Sequence, residues 1–248
     1  MAAGPAMTET MCTVVILRRP GHDWPLLLAA NRDEMADRPW RPPGRHWPDR
    51  EHVVAGLDET AGGTWLALND VRIVAAVLNR SGSLGPDADK RSRGELPLEA
   101  VDHAEAKVAA EALARIEPDS YRSFNMVIAD AFEAFWIRGD GKTVTAQPIP
   151  EGLSMITAHD LNDTETSERI RDHLPNFRAA PPPDPEAGDW ATWQTLMAAL
   201  CVEGENGFGT VSASLIALPS VEKFGVKPHW LFCPGRPDEA AWSAVDLS

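Results

Sequence analysis

Residues 11–34 read MCTVVILRRPGHDWPLLLAANRDE. Two short apolar runs, 12–17 (CTVVIL) and 26–31 (LLLAAN), flank Pro20, Gly21 and Pro25. Short unbroken apolar runs bounded by turn residues predict two buried strands joined by a tight connection. An antiparallel pair returns the chain to its starting edge. Cys12 opens the first strand and Arg32-Asp33 ends the second, so a thiol, a guanidinium and a carboxylate are expected at one end of a sheet. A neighbouring guanidinium favours thiolate and is expected to lower the pKa of Cys12. Asp33 is suited to hold an α-ammonium or to orient the arginine. A cysteine at a chain terminus has a further advantage: its α-amine, with an ordinary pKa of about 8, can serve as base for its own thiol.

Working outward, Gly62-Gly63 precedes a second strand pair (TWLAL, then VRIVAAVLN) with Asn69-Asp70 at its turn. Between the two pairs, residues 38–50 carry four Pro, with Trp40 and Trp47, and predict an irregular loop that covers a ligand or simply packs. Residues 80–94 are a polar loop, and 96–116 show apolar spacings of three and four with abundant Ala, which predict a helix. Further strands are expected at 124–130, 134–138, 143–148, 153–158, 211–218 and 229–232. Helices are expected at 166–174 and 190–201, separated by a stiff spacer at 181–185 (PPPDP). There is no internal repeat and no strong compositional break, so residues 12–248 are expected to form one domain. Many strands with segregated helices point to α+β, with helices packed on stacked antiparallel sheets.

The chain has 248 residues, 44% apolar and 24% charged, which excludes wholesale disorder. No apolar run approaches the roughly 20 residues of a membrane-spanning helix. Lys and Arg number 23 against 37 Asp and Glu, a formal charge of −14 that argues against nucleic acid as a partner. The imbalance is uneven: residues 1–50 hold 7 Arg and 6 acidic residues, and the remainder 16 basic and 31 acidic. The three cysteines, Cys12, Cys201 and Cys233, show neither disulfide nor metal-ligand spacing, and the histidines are scattered. No metal site is expected, and a reducing, cytoplasmic location is. Residues 1–11 (MAAGPAMTETM) lack the charge and apolar core of a secretory signal and carry three Met, at 1, 7 and 11. They are expected to be non-native or removed, leaving Cys12 first with a free α-amine.

Specific words accompany this pattern: Met11-Cys12-Thr13, Asn31-Arg32-Asp33-Glu34, Gly62-Gly63-Thr64-Trp65-Leu66 and Leu78-Asn79. Arg93-Gly94-Glu95-Leu96, Phe124-Asn125, Asp160-Leu161-Asn162-Asp163 and Gly209-Thr210 follow. Together they resemble the NRDE family, the transport and Golgi organisation protein 2 homologues, over nearly all of residues 11–220. That family in turn resembles N-terminal-nucleophile cysteine amidases. The resemblance implies a four-layer αββα sandwich of the N-terminal-nucleophile hydrolase type. It implies Cys12 as nucleophile and, through its amine, general base. Arg32 would steady the thiolate and Asp33 bind the amine. Asn79 would donate to the oxyanion, most simply through its backbone N–H. A second oxyanion donor would come from His159 or Asn162, though Asn162 equally suits a helix cap. Asn31, Trp65, Arg93 and His159 stand as substrate-binding candidates. Arg91 and Arg93 suit an anionic substrate group or solvated loop charge. The amidases place a further Arg near the site, and residues 209–213 (GTVSA) offer none. The implied activity is hydrolysis of a linear, non-peptide amide through an acyl-enzyme, with no cofactor. The alternative is non-catalytic binding or transfer of haem or another hydrophobic ligand in the same pocket.

Overall fold

A computed structural model describes residues 12–85 and 87–248. The expectation for residues 1–11 lies outside them. In chain order the elements are β1 (Thr13–Arg18), β2 (Leu26–Met35), β3 (Trp40–Gly44), β4 (Val53–Asp58), β5 (Leu66–Asn69) and β6 (Val74–Asn79). Next come α1 (Glu95–Val101), α2 (Ala106–Leu113), β7 (Phe124–Ala129), β8 (Ala134–Gly139), β9 (Val144–Pro148) and β10 (Gly152–Ile156). The chain closes with α3 (Glu168–Ala179), α4 (Ala191–Ala198), β11 (Phe208–Leu218), β12 (His229–Cys233) and β13 (Ser243–Ala244). Two antiparallel sheets result, ordered β10-β1-β2-β11-β12-β13 and β3-β4-β5-β6-β7-β8-β9.

The apolar runs explain the layering. Along β1, Val14 and Ile16 point between the sheets, where they meet Leu66, Ala76 and Val127 of the second sheet. Val15 and Leu17 point outward onto Ile170, Phe177 and Trp193 of α3 and α4. The outer face of the second sheet is covered by Leu96 and Val101 of α1 and Ala109 and Leu113 of α2. A strand covered on both faces buries every side chain, which is why CTVVIL and LLLAAN show no alternation. The order of layers is helix, sheet, sheet, helix, as expected. Because α3 and α4 cover the same sheet, the PPPDP spacer joins two helices of one layer. No helix among the described residues is long and apolar enough to cross a membrane.

Four departures from the sequence reading have identifiable causes. First, β2 does not end at Asn31. It continues to Met35 because β11 pairs with it over its whole length, from Phe208↔Met35 to Leu218↔Leu26. Second, part of the Pro-rich segment is a strand. Pro42 and Pro43 lie in β3, at the edge of its sheet and within its register irregularity, where a missing N–H breaks no ladder. Third, β4 (VVAGLD) completes that edge and was not foreseen. Fourth, the helical stretch divides into α1 and α2. The Asn69 amide donates to Val101 O (2.7 Å) and His103 O (3.2 Å), while Asp130 Oδ2 accepts from Ala106 N (2.9 Å). Side chains from the sheet thus satisfy the backbone groups that the break exposes.

Candidate active site

Thr13 pairs with Asn31, so Cys12 enters the sheet level with the second half of β2. The backbone N–H of Asp33 donates to Cys12 Sγ at 3.3 Å, and the thiol lies 3.5 Å from Asp33 O. On the other side of β2 the register with β11 shifts: Thr210 faces Asp33 and Ser212 faces Arg32, leaving Val211 as the extra residue of a bulge. The bulge aims Thr210 Oγ1 at Asp33 Oδ1, 2.6 Å away. Asn31 Nδ2 reaches the same oxygen at 2.6 Å, while Asn31 Oδ1 accepts from Thr13 N at 2.7 Å. Asp33 Oδ2 has no hydrogen-bond partner among the described residues, and the Arg169 guanidinium stands 4.0 Å from it. Arg169 comes from the first turn of α3 and is fixed by Thr13 Oγ1 (2.7 Å) and Leu200 O.

Arg32 is buried beside this group. Its guanidinium lies 4.3 Å over the Trp65 ring, with Glu34 at 3.6 Å and Asp58 at 3.7 Å, and its Nη1 has no hydrogen-bond partner among the described residues. Trp65 fits because residue 56 is glycine: a Cβ there would stand 2.3 Å from the indole. Trp40 packs edge-on against Trp65 and Phe232 at 5.9 and 5.8 Å, so it serves the packing alternative. Trp47 likewise packs, donating to Gly62 O at 3.1 Å. Gly63 and Gly94 pack backbone on backbone, with Thr64 N donating to Gly94 O at 2.9 Å; a Cβ on Gly63 would lie 2.5 Å from the Gly94 carbonyl carbon. This contact carries Arg93 into the cleft wall. Arg93 Nη1 donates to Ser83 O (2.8 Å), Ser83 Oγ (2.9 Å) and Ser123 O (3.1 Å). The cleft holds about 240 Å³, and Cys12, Arg32, Asp33, Trp65, Asn79 and Arg93 all line it.

The electrostatics correct one expectation. Burial, and next the Asp33 charge, push the Cys12 thiol up to about 12, outweighing the Asp33 N–H and Arg32, which pull it down. With a chain continuing ahead of it, Cys12 is therefore a neutral thiol. Burial also raises the Asp33 carboxyl above its ordinary range, partly offset by Arg169, Thr210 and Asn31. Arg93 is lowered to about 10, by burial and by the nearby Arg122 charge.

Three candidates sit differently from the sequence reading. Asn31 is buried outside the cleft lining and positions Asp33 through its side-chain amide. Asn162 is spent on β10: its Oδ1 accepts from Met155 N (2.8 Å), its Nδ2 donates to Ser154 Oγ (3.1 Å), and its φ of 57° makes the turn. Nor does it cap α3, since Ser167 does that. His159 lies between Ser81 Oγ (3.4 Å) and Thr166 Oγ1 (3.1 Å), also outside the cleft lining. In exchange the structure brings in Arg169 and Thr210. In the sequence Gly209-Thr210 is a word of the family resemblance that carries no assigned role. Arg169 carried no signal, because nothing in a helix turn announces what lies across a sheet.

A sequence model described as Transport and Golgi organisation 2 matches residues 11–177. The Transport and Golgi organization protein 2 homolog of Homo sapiens is 30% identical over 141 residues, covering 52% of this chain and 50% of that protein. The Bos taurus homolog is 31% identical over 141 residues with the same coverage. The chain thus spans about half the length of the curated relatives it matches. Among solved structures, a Caenorhabditis elegans N-acylethanolamine-hydrolyzing acid amidase ortholog superposes with TM-score 0.57 at 11% identity, over 83% of this chain and 92% of that one. The C2A mutant of conjugated bile acid hydrolase from Clostridium perfringens superposes with TM-score 0.59 at 10% identity, over 95% and 92%. At such identities the likeness is one of fold, that of the N-terminal-nucleophile hydrolases.

Proposed function

The chain belongs to the Transport and Golgi organisation 2 family, and from that premise and the cleft geometry we propose that it is a cysteine hydrolase of linear amides whose nucleophile is Cys12 once Cys12 begins the chain. The observation that carries this reading is Asp33. It is a buried carboxylate beside the thiol with one oxygen fully engaged and the other without a hydrogen-bond donor among the described residues. A buried charge left half-satisfied is costly, and an α-ammonium on Cys12 is the group that would complete it. The same ammonium counters the two influences that push the thiol up, burial and the Asp33 charge.

In the proposed reaction the neutral Cys12 amine takes the thiol proton, becoming the ammonium that Asp33 holds, as Sγ attacks the amide carbonyl carbon. The oxyanion is held near the backbone of Asn79. The carbon–nitrogen bond breaks, and the amine leaves with the proton. Water, deprotonated by the same α-amine, then attacks the thioester, which releases the carboxylic acid and restores the thiol. Arg32, pinned over Trp65, supplies fixed positive charge beside the sulfur. Arg169 and Thr210 act as positioning residues through Asp33. A thiol nucleophile persists best in a reducing compartment, and the cytoplasm is the proposed location.

The test is intact mass with a thiol-reactive acyl probe. Active protein is expected to begin at Cys12 and to label once, there. Cys12→Ala is expected to abolish labelling, while Cys201→Ala and Cys233→Ala leave it intact. Amide turnover by protein that retains residues 1–11 would overturn the mechanism. Haem fits this cleft poorly, since its lining among the described residues holds no histidine. A haem titration is expected to give no saturable Soret shift, whereas a saturable shift that survives Cys12→Ala would favour the binding reading.

A further inference from the structure

The cleft wall contains cations of two kinds. Arg32 has Glu34 and Asp58, Arg38 has Asp58, Lys90 has Asp119, and Arg91 has Glu95 and Glu99. Arg93 has no carboxylate within 4.0 Å among the described residues. Its three hydrogen bonds all leave from Nη1 and go to neutral oxygens of Ser83 and Ser123. Its Nε and Nη2 make no hydrogen bond among the described residues. A second guanidinium stands close by: Arg122 donates to Gly82 O (3.2 Å) and Gly85 O (3.4 Å), and its charge opposes that of Arg93. The backbone contact between Gly63 and Gly94 fixes the main chain beside Arg93, and the bonds to Ser83 and Ser123 hold its guanidinium at the wall. A partly desolvated guanidinium beside another guanidinium, in a protein of net charge −14, has only the more distant Glu34 charge to offset it and no ion-pair partner among the described residues.

We propose that the substrate of this cleft is an amide bearing an anionic group, a carboxylate or a phosphate, which the free edge of Arg93 binds with Arg122 adding to the local field. This deepens the hydrolase reading by naming the substrate class, and it rests on that reading for the location of the reacting amide. Arg93 lines the same cleft as Cys12, so one molecule can present its amide to the thiol and its anion to the guanidinium. The planar fork of Arg suits either anion in bidentate fashion.

The experiment uses the full chain carrying Cys12→Ala, which cannot cleave, and three probes with one acyl chain: an N-acylglycine, an N-acyl-O-phosphoethanolamine and the neutral N-acylethanolamine. One or both anionic probes are expected to bind at least about tenfold tighter than the neutral one. Whichever does names the anion. Arg93→Met is expected to erase the difference between anionic and neutral probes, and Arg93→Lys to restore part of it. Rising salt is expected to shrink the gap. Equal binding of the three probes, binding of none, or a preference that survives Arg93→Met would overturn the proposal. Because binding is read without turnover, a wild type that fails to hydrolyse amides defeats the hydrolase reading alone. Loss of anion preference in a protein that does hydrolyse defeats this inference alone.

Discussion

At Asp33 two donors converge on Oδ1, while Oδ2 meets no hydrogen-bond donor among the described residues. That asymmetry has a consequence for pH. Burial raises the folded-state pKa of Asp33 above the unfolded value of about 3.9. The native state therefore holds this proton more tightly than the unfolded chain, and its contribution to stability is lost as pH rises from about 3.9 through the raised value. With residues 1–11 attached, Asp33→Asn is expected to be stabilising relative to wild type by an amount that grows with pH across that window and then levels off. Thermal midpoints of the two proteins measured at matched pH check this; a difference that does not vary with pH would contradict it. In a chain that begins at Cys12, the α-ammonium supplies a hydrogen-bond donor and a second positive charge beside Arg169, and the difference is expected to shrink. At this scale the sequence identified Cys12, Arg32, Asp33, Trp65, Asn79 and Arg93, all of which meet at one cleft. It misjudged the pKa of Cys12, because a residue string shows that Arg32 is near but not that the sulfur is dry.

Two elements, α3 and the bulged β11, deliver the groups that hold Asp33. α3 starts where Ser167 accepts from Ile170 N at 3.2 Å, and two residues on it presents Arg169 toward Asp33. Replacing a serine N-cap by alanine costs about 1 kcal/mol. Ser167→Ala is expected to lower stability by about that much and to slow acyl-probe labelling of Cys12 as the first turn frays. Arg169→Met is expected to leave Asp33 with a higher pKa still, which would move the pH profile of labelling upward; an unchanged profile would remove Arg169 from the positioning set. The bulge at Val211 does the equivalent work in β11, since a side-chain period of two means that one inserted residue decides whether Thr210 faces Asp33 or turns away. Apolar runs announced β1, β2 and β11, but not the bulge and not the extension of β2 through Asn31-Arg32-Asp33-Glu34. That extension depends on a partner strand some 180 residues away in sequence, with Thr210 opposite Asp33, and polar residues alone carry no strand signal.

Across the whole molecule, three apolar clusters bind four layers, and the inner one draws on both sheets: Ile16, Leu28 and Ile216 from one, Leu66, Val74 and Val127 from the other. Ile16 is fully buried between the sheets and Leu27 fully buried beneath α3 and α4. Truncating either to alanine is expected to cost about 2–5 kcal/mol and to lower the midpoint of one common transition. Calorimetry that resolves two transitions would overturn the expectation that residues 12–248 form one domain. The acidic excess lies on this frame as a surface property, while the cleft gathers Arg32, Arg38, Arg91, Arg93 and Arg122. Only two of those five belong to the Arg-rich first 50 residues, so the charge asymmetry along the chain accounts for part of the cationic wall and folding for the rest. The sequence by itself determined the strands, the helical layers, and the thiol, guanidinium and carboxylate at one sheet end, because apolar periodicity and a short connection are local facts. Only the tertiary structure decided that Asn162 and His159 lie outside the cleft lining, that Asn31, Thr210 and Arg169 hold Asp33, and that Arg93 has no carboxylate within 4.0 Å among the described residues. Hydrogen bonding, desolvation and charge pairing depend on which distant groups share a space, and no local pattern records that.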